Sequence, residues 1–160
     1  MESVKVGMAD LKVIKGTGSL ITLGLGSCVG IALYDKKIKV AGLAHIMLPS
    51  SLEIKNNKNK AKFANTAIEI LLKDMERLGS NRKDIVAKLA GGAQMFNFNS
   101  NQDILKIGKR NVIASKNKLI ESKIKVISED TGGNFGRTIE LKVEDGQLIV
   151  KTIGHGIKII

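Results

Sequence analysis

The tightest constraint on this chain is one run, Thr22-Leu23-Gly24-Leu25-Gly26-Ser27-Cys28-Val29-Gly30, which carries three glycines and the only cysteine of the sequence. Glycine lets a backbone take positive φ and approach another segment closely, so the run reads as a strand over 20–23 entering a tight turn. A second apolar strand, over 29–34, leaves that turn. A cysteine at the end of such a turn can be presented at a surface. His45, one of two histidines, follows in another apolar run. A lone cysteine and a histidine brought beside it by folding are the minimum for thiol nucleophilic catalysis.

The two runs read as a hairpin: out along 29–34, around Asp35-Lys36-Lys37, and back along 40–48 to Pro49, the single proline. A turn centred between Lys36 and Lys37 puts Cys28 directly opposite His45. Opposed residues share a face, with Cβ atoms about 4.5–5.5 Å apart. A slip of one residue would send them to opposite faces. Gly30 and Ala32 are small and would leave room beside the thiol on that face. In the chemical reading, His45 takes the thiol proton and the thiolate attacks a carbonyl carbon. The backbone amides around Gly26, Ser27 and Cys28 then face the oxyanion. Thr22 is a candidate to orient the imidazole, through its hydroxyl or its carbonyl. A bland reading stands beside this one. Free cysteine packs as a small hydrophobe, His45 in Leu43-Ala44-His45-Ile46-Met47 fits a satisfied core histidine, and threonine is an ordinary strand former. The chemistry suits amides, esters and thioesters alike.

The rest of the chain supplies the scaffold. Short strands are expected over 4–6 and 11–14, and a helix over 61–78 with Phe63, Ala67, Ile70, Leu71, Met75 and Leu78 on one face, capped by Asn59 and ended by Gly79. A buried strand over 85–90 runs into Gly91-Gly92-Ala93, and a polar loop over 94–103 carries Met95, Phe96 and Phe98. A second helix spans 107–122 with Val112, Ile113, Leu119 and Ile120 as its apolar set. A strand over 124–127 precedes a glycine-rich loop over 129–137, which lacks the Gly-Lys-Ser/Thr of a Walker loop. A hairpin then turns at Asp145-Gly146, and Gly154-His155-Gly156 opens a tail. Many short strands and two helices give an α+β fold, with mixed β-sheets layered in a sandwich-like core and helices on one side. At 160 residues the chain is expected to form one domain over 1–160.

Several classes are disfavoured. One cysteine cannot form an intrachain disulfide, and no Cys/His spacing fits structural zinc, so no structural metal is expected. The N-terminus does not read as a signal peptide, and no apolar run reaches the ~20 residues of a membrane helix. A free thiol without an export signal points to the cytoplasm. The net charge of +11 could draw the protein to an acidic partner, and the lysines crowd 55–62 and 106–125. Charge runs are commonly just solvated faces, however, and aromatics at 3% supply few stacking platforms, so nucleic acid is not an expected partner.

These residues carry a resemblance. Thr22-Leu23-Gly24-Leu25-Gly26-Ser27-Cys28-Val29, followed by Ala44-His45-Ile46-Met47-Leu48-Pro49, resembles the chemoreceptor glutamine deamidase family CheD of bacterial and archaeal chemotaxis. Lys88-Leu89-Ala90-Gly91-Gly92-Ala93-Gln94-Met95-Phe96, Ile107-Gly108-Lys109-Arg110-Asn111 and Asp130-Thr131-Gly132-Gly133-Asn134-Phe135-Gly136-Arg137 resemble further motifs of that family, in the same order. The resemblance implies Cys28 as nucleophile, His45 as base and Thr22 as its orienter. It implies a fold shared with cysteine-dependent toxin deamidases, and hydrolysis of chemoreceptor glutamine side chains to glutamate with release of ammonia. It implies no cofactor, and a phosphatase partner, CheC. Gly91, Gly92, Gly132, Gly133 and Arg137 are candidates to line a substrate groove, though turns of this kind equally serve structure alone. Two other readings stay open: a binding regulator of CheC without catalysis, and methylesterase or general amidase action by the same thiol.

Overall fold

The computed structural model describes residues 2–95 and 106–160. Its core is two five-stranded sheets. The first has the spatial order β1 (Ser3–Lys5), β3 (Ser19–Leu25), β8 (Arg137–Lys142), β9 (Leu148–Thr152), β10 (Gly156–Ile159). The second runs β2 (Leu11–Lys15), β5 (Val40–Ile46), β4 (Val29–Asp35), β6 (Ile85–Gly91), β7 (Lys125–Thr131). Both sheets are mixed: β1 and β3 pair in parallel, as do β6 and β7, and the other neighbours are antiparallel. Every residue of β4 and β5 is buried, which is why both read as continuous apolar runs. Val29, Ile31 and Leu33 of β4 face the two helices, while Ala32 and Tyr34 face the first sheet beside Leu20, Ile139 and Leu141. The molecule is therefore α+β, with a sandwich of sheets and both helices on one side.

Helix α1 (Ala64–Arg77) buries Ala64, Ala67, Ile68, Leu71, Leu72 and Met75 at helical spacing. Asn59 caps a short 3-10 turn, Lys60–Lys62, ahead of α1. At the other end Gly79 N–H donates to Glu76 O and Ser80 N–H to Met75 O, the paired bonds of a Schellman motif.

Three expectations need correction. In the β4–β5 hairpin Asp35 pairs with Val40, and Gly30, not Cys28, lies opposite His45. The cause is Asp35, whose carboxylate accepts the N–H groups of Lys37 (2.9 Å) and Ile38 (3.4 Å) and draws the turn one residue further along. In α2 (Ile107–Glu121) the buried residues are Gly108, Asn111, Ser115 and Leu119, whereas Ile113 is 47% and Ile120 71% exposed. The tail, to which no strand was assigned, holds one: β10 adds to β9 as an edge strand. The loop expected over 94–103, with Phe96 and Phe98, lies outside the described residues beyond Met95.

Candidate thiol site at the corner of the two sheets

β3 belongs to the first sheet and β4 to the second, so Gly26-Ser27-Cys28 is the corner where the chain passes between them. The end of β3 carries a bulge against β8 between Thr22 and Leu25, with Gly24 at φ +70°. A bulge bends its strand, here just before the corner. Thr22 and His45 project toward each other across the sandwich, one from each sheet. Their side chains meet at 2.7 Å, Thr22 Oγ1 to His45 Nδ1.

Hydrogen counting fixes the tautomer. The Thr22 hydroxyl has one proton, and it goes to the Val6 carbonyl at 2.7 Å. Toward His45 the oxygen can then only accept, so Nδ1 carries the ring proton and Nε2 holds the free lone pair. Nε2 is buried and has no hydrogen-bond partner among the described residues. The backbone of His45 is held as well: its N–H donates to Asp10 O and its carbonyl accepts from Ala9 N–H.

Cys28 is a free thiol, 8% exposed, packed in the cluster between the sheets. Cys28 itself precedes the ladder, whose last pair is Val29 with Ile46; carried one step further, the same register would set it diagonal to His45 and not opposite it. Burial pushes the thiol pKa up, with its own backbone N–H pulling the other way. Burial pushes the His45 imidazole pKa down. Both directions favour a neutral thiol and a neutral imidazole at rest. The room expected above Gly30 is taken by Ile139, whose Cδ1 reaches across from β8.

The three carbonyls of the corner are all bound from outside it. Gly26 O accepts from Ala93 N–H (2.9 Å), Ser27 O from Asn111 Nδ2 (3.0 Å), and Cys28 O from Gly92 N–H (2.8 Å). Gly26 N–H is spent on Gly24 O at 3.1 Å, so it is not available to an oxyanion. The Ser27 and Cys28 amides have no backbone acceptor among the described residues.

The groove candidates divide. Gly92, Gly132 and Gly133 line a groove of about 550 Å³ together with Lys106, Lys109 and Val112. Gly91 and Arg137 do not line it. Gly91, at φ +107°, lies where any Cβ would collide with the Cys28 carbonyl oxygen. Arg137 is 3% exposed, pairs with Asp130 at 3.1 Å, reaches Gly91 O at 3.4 Å and stacks under Phe135, so it braces the glycine turns. Asn111 is the residue that sequence reasoning missed. Its signal was present as Gly108, Asn111 and Ser115 at helical spacing, a stripe of small and polar residues easily overlooked beside the isoleucines of the same helix. Among the described residues no group of three or more His, Cys, Asp or Glu side chains converges.

The site thus holds a free thiol and, on β5, an imidazole whose Nε2 is unprotonated. A family model described as CheD chemotactic sensory transduction matches residues 47–152. A protein of Caldanaerobacter subterraneus subsp. tengcongensis named probable chemoreceptor glutamine deamidase CheD is 60% identical, with 100% of each chain covered. One of Syntrophomonas wolfei with the same name is 54% identical over 98% of each. A chemoreceptor glutamine deamidase CheD of Halalkalibacterium halodurans is 53% identical over 97% of this chain and 96% of its own. Among solved structures, a hypothetical protein YfiH of Bacillus licheniformis aligns with 71% of this chain and 46% of its own at TM-score 0.42 and 16% identity, too distant to bear on function. The chain belongs to the CheD family.

Proposed function

We propose that this protein hydrolyses glutamine side-chain amides of chemoreceptors to glutamate, with release of ammonia, using Cys28 as nucleophile and His45 as base. The observation that carries the reading is the hydrogen-bond chain His45 Nδ1–H to Thr22 Oγ1–H to Val6 O, because it leaves Nε2 as the free, basic nitrogen of the ring. As Cys28 Sγ attacks the glutamine carbonyl carbon, its proton passes to Nε2. The oxyanion takes hydrogen bonds from the Cys28 and Ser27 amides, each such donor being worth about 2.7–4 kcal/mol in the transition state. Nε2–H then protonates the departing nitrogen, ammonia leaves, and a thioester remains. Water attacks the thioester as Nε2 takes its proton. Collapse gives glutamate, and the proton returns to sulfur. Thr22 stabilises the transient imidazolium by accepting from Nδ1–H throughout.

The test is ammonia release from a purified chemoreceptor cytoplasmic fragment. The wild type is expected to release ammonia, and H45Q is expected to be slower by at least about 10²-fold, the usual contribution of a general base. Full activity in H45Q would remove His45 from the mechanism. CheC is proposed as partner on the family resemblance, a cytoplasmic setting on the free thiol, and a single domain on the length of 160 residues. Co-elution of the two purified proteins tests the first of these.

A further inference from the structure

Asn111 lies in α2, remote in sequence from Cys28 and from His45, and is fully buried. Its Nδ2 donates to Ser27 O at 3.0 Å and to Met47 O at 2.9 Å, while its Oδ1 has no partner among the described residues. Both neighbours are carbonyls and can only accept, so the amide has one possible orientation. The two carbonyls belong to the two halves of the site. Ser27 precedes the thiol residue, and Met47 follows His45 by two positions. Met47 is also the residue that the β4–β5 register would set against Cys28, one step beyond the last ladder pair, Val29 with Ile46. Asn111 therefore closes the hairpin where its own ladder stops.

The Ser27 bond has a consequence on its far side. A trans peptide points its C=O and the following N–H in opposite directions. With Ser27 O held toward α2, Cys28 N–H is aimed away from α2. Helix α2 is itself fixed against the corner: a side chain at Gly108 would run into the Gly92 and Ala93 carbonyl oxygens, and the amides of those two residues hold Cys28 O and Gly26 O. Resting on the thiol reading above, we propose that Asn111 is a positioning residue that sets the Ser27–Cys28 peptide so that the Cys28 amide serves as oxyanion donor, and that it fixes the distance between the thiol corner and the His45 strand. The influence of the Cys28 backbone N–H on its own thiol agrees with that aim.

Because the chain has one cysteine, alkylation by iodoacetamide reports Cys28 alone and needs no receptor. The experiment follows alkylation rate against pH, ammonia-release kinetics and thermal melting for the wild type, N111A and the near-isosteric N111D. In a variant still folded at the assay temperature, the alkylation midpoint is expected to move to higher pH. kcat is expected to fall about 10²-fold, the scale of one lost oxyanion donor, with KM within about two-fold. A lowered Tm with an unchanged alkylation midpoint and unchanged kcat would overturn the assignment and leave Asn111 a packing residue. Should neither variant fold, amide NMR of the unaltered protein decides. A Cys28 N–H resonance that shifts with thiolate formation is expected, and one that does not move contradicts the proposal. A shifted alkylation midpoint in variants of a protein whose wild type releases no ammonia would support the Asn111 assignment while overturning the deamidase reading.

Discussion

At Thr22 one hydroxyl does two jobs, giving its proton to Val6 O and accepting the Nδ1 proton of His45. Valine has the same shape and can do neither. T22V is expected to lower kcat by about 10²-fold or more, because the imidazole loses its fixed tautomer and the imidazolium loses its acceptor. The same change leaves the Val6 carbonyl and Nδ1–H unsatisfied in the core, at about 1–3 kcal/mol each, readable as a lower urea midpoint. T22S keeps the hydroxyl and is expected to recover most of the rate. Equal activity in T22V and wild type would show that His45 needs no orienter. Cys28 and His45 stood out as candidates because the chain has one cysteine and two histidines, and Thr22 as orienter rested on the family resemblance. Which of Thr22's two oxygens acts, and which imidazole nitrogen stays free, depended on Val6, a neighbour that becomes adjacent only when β1 pairs with β3.

Between elements, the corner between the sheets depends on the turn that follows β6. Gly91 takes φ +107° against the Cys28 carbonyl, so G91A combines backbone strain with a collision. A loss of about 2–4 kcal/mol in urea unfolding is expected, with activity falling in whatever fraction remains folded. A G91A protein as stable as wild type would mean that the corner relaxes freely. In α1, L71A removes a fully buried side chain from the helix–sheet interface and is expected to cost about 2–5 kcal/mol without changing kcat in folded protein. Apart from β10 and the far end of β7, the strands and helices themselves were readable from periodicity, and so was the layered α+β class. Two features were not. The hairpin register turned on the Asp35 carboxylate capping its own loop, which shifted the pairing by two residues, and Gly30 took the place opposite His45 that had been expected for Cys28. The inward side of α2 was given to Ile113 and Ile120, because hydrophobicity marks a face only where the neighbour is apolar. There the neighbours are the backbone carbonyls of the thiol corner and the Gly92–Ala93 turn, and they select Gly108 and Asn111.

Over the whole molecule, a buried neutral histidine ties stability to pH. The folded imidazole titrates below its ordinary value of about 6.5, so as pH falls through that value the unfolded chain takes up a proton that the folded site resists. His45 thus contributes stability that is present above about pH 6.5 and lost as the solution is acidified. The urea midpoint is expected to drop between pH 7.5 and 5.5 in wild type and to drop less in H45Q; parallel curves would count against a neutral buried imidazole. A net charge of +11 should also speed encounter with an acidic receptor segment, so KM is expected to rise with ionic strength while kcat stays level. A salt-independent KM would remove steering from the account. The most direct measurement is site-resolved mass spectrometry of a chemoreceptor cytoplasmic fragment incubated with wild type or with C28A. A gain of about one mass unit at defined glutamines with wild type alone is the expected result, since amide becomes acid only through the thiol. No gain with wild type, or the same gain with C28A, would contradict a deamidase built on Cys28.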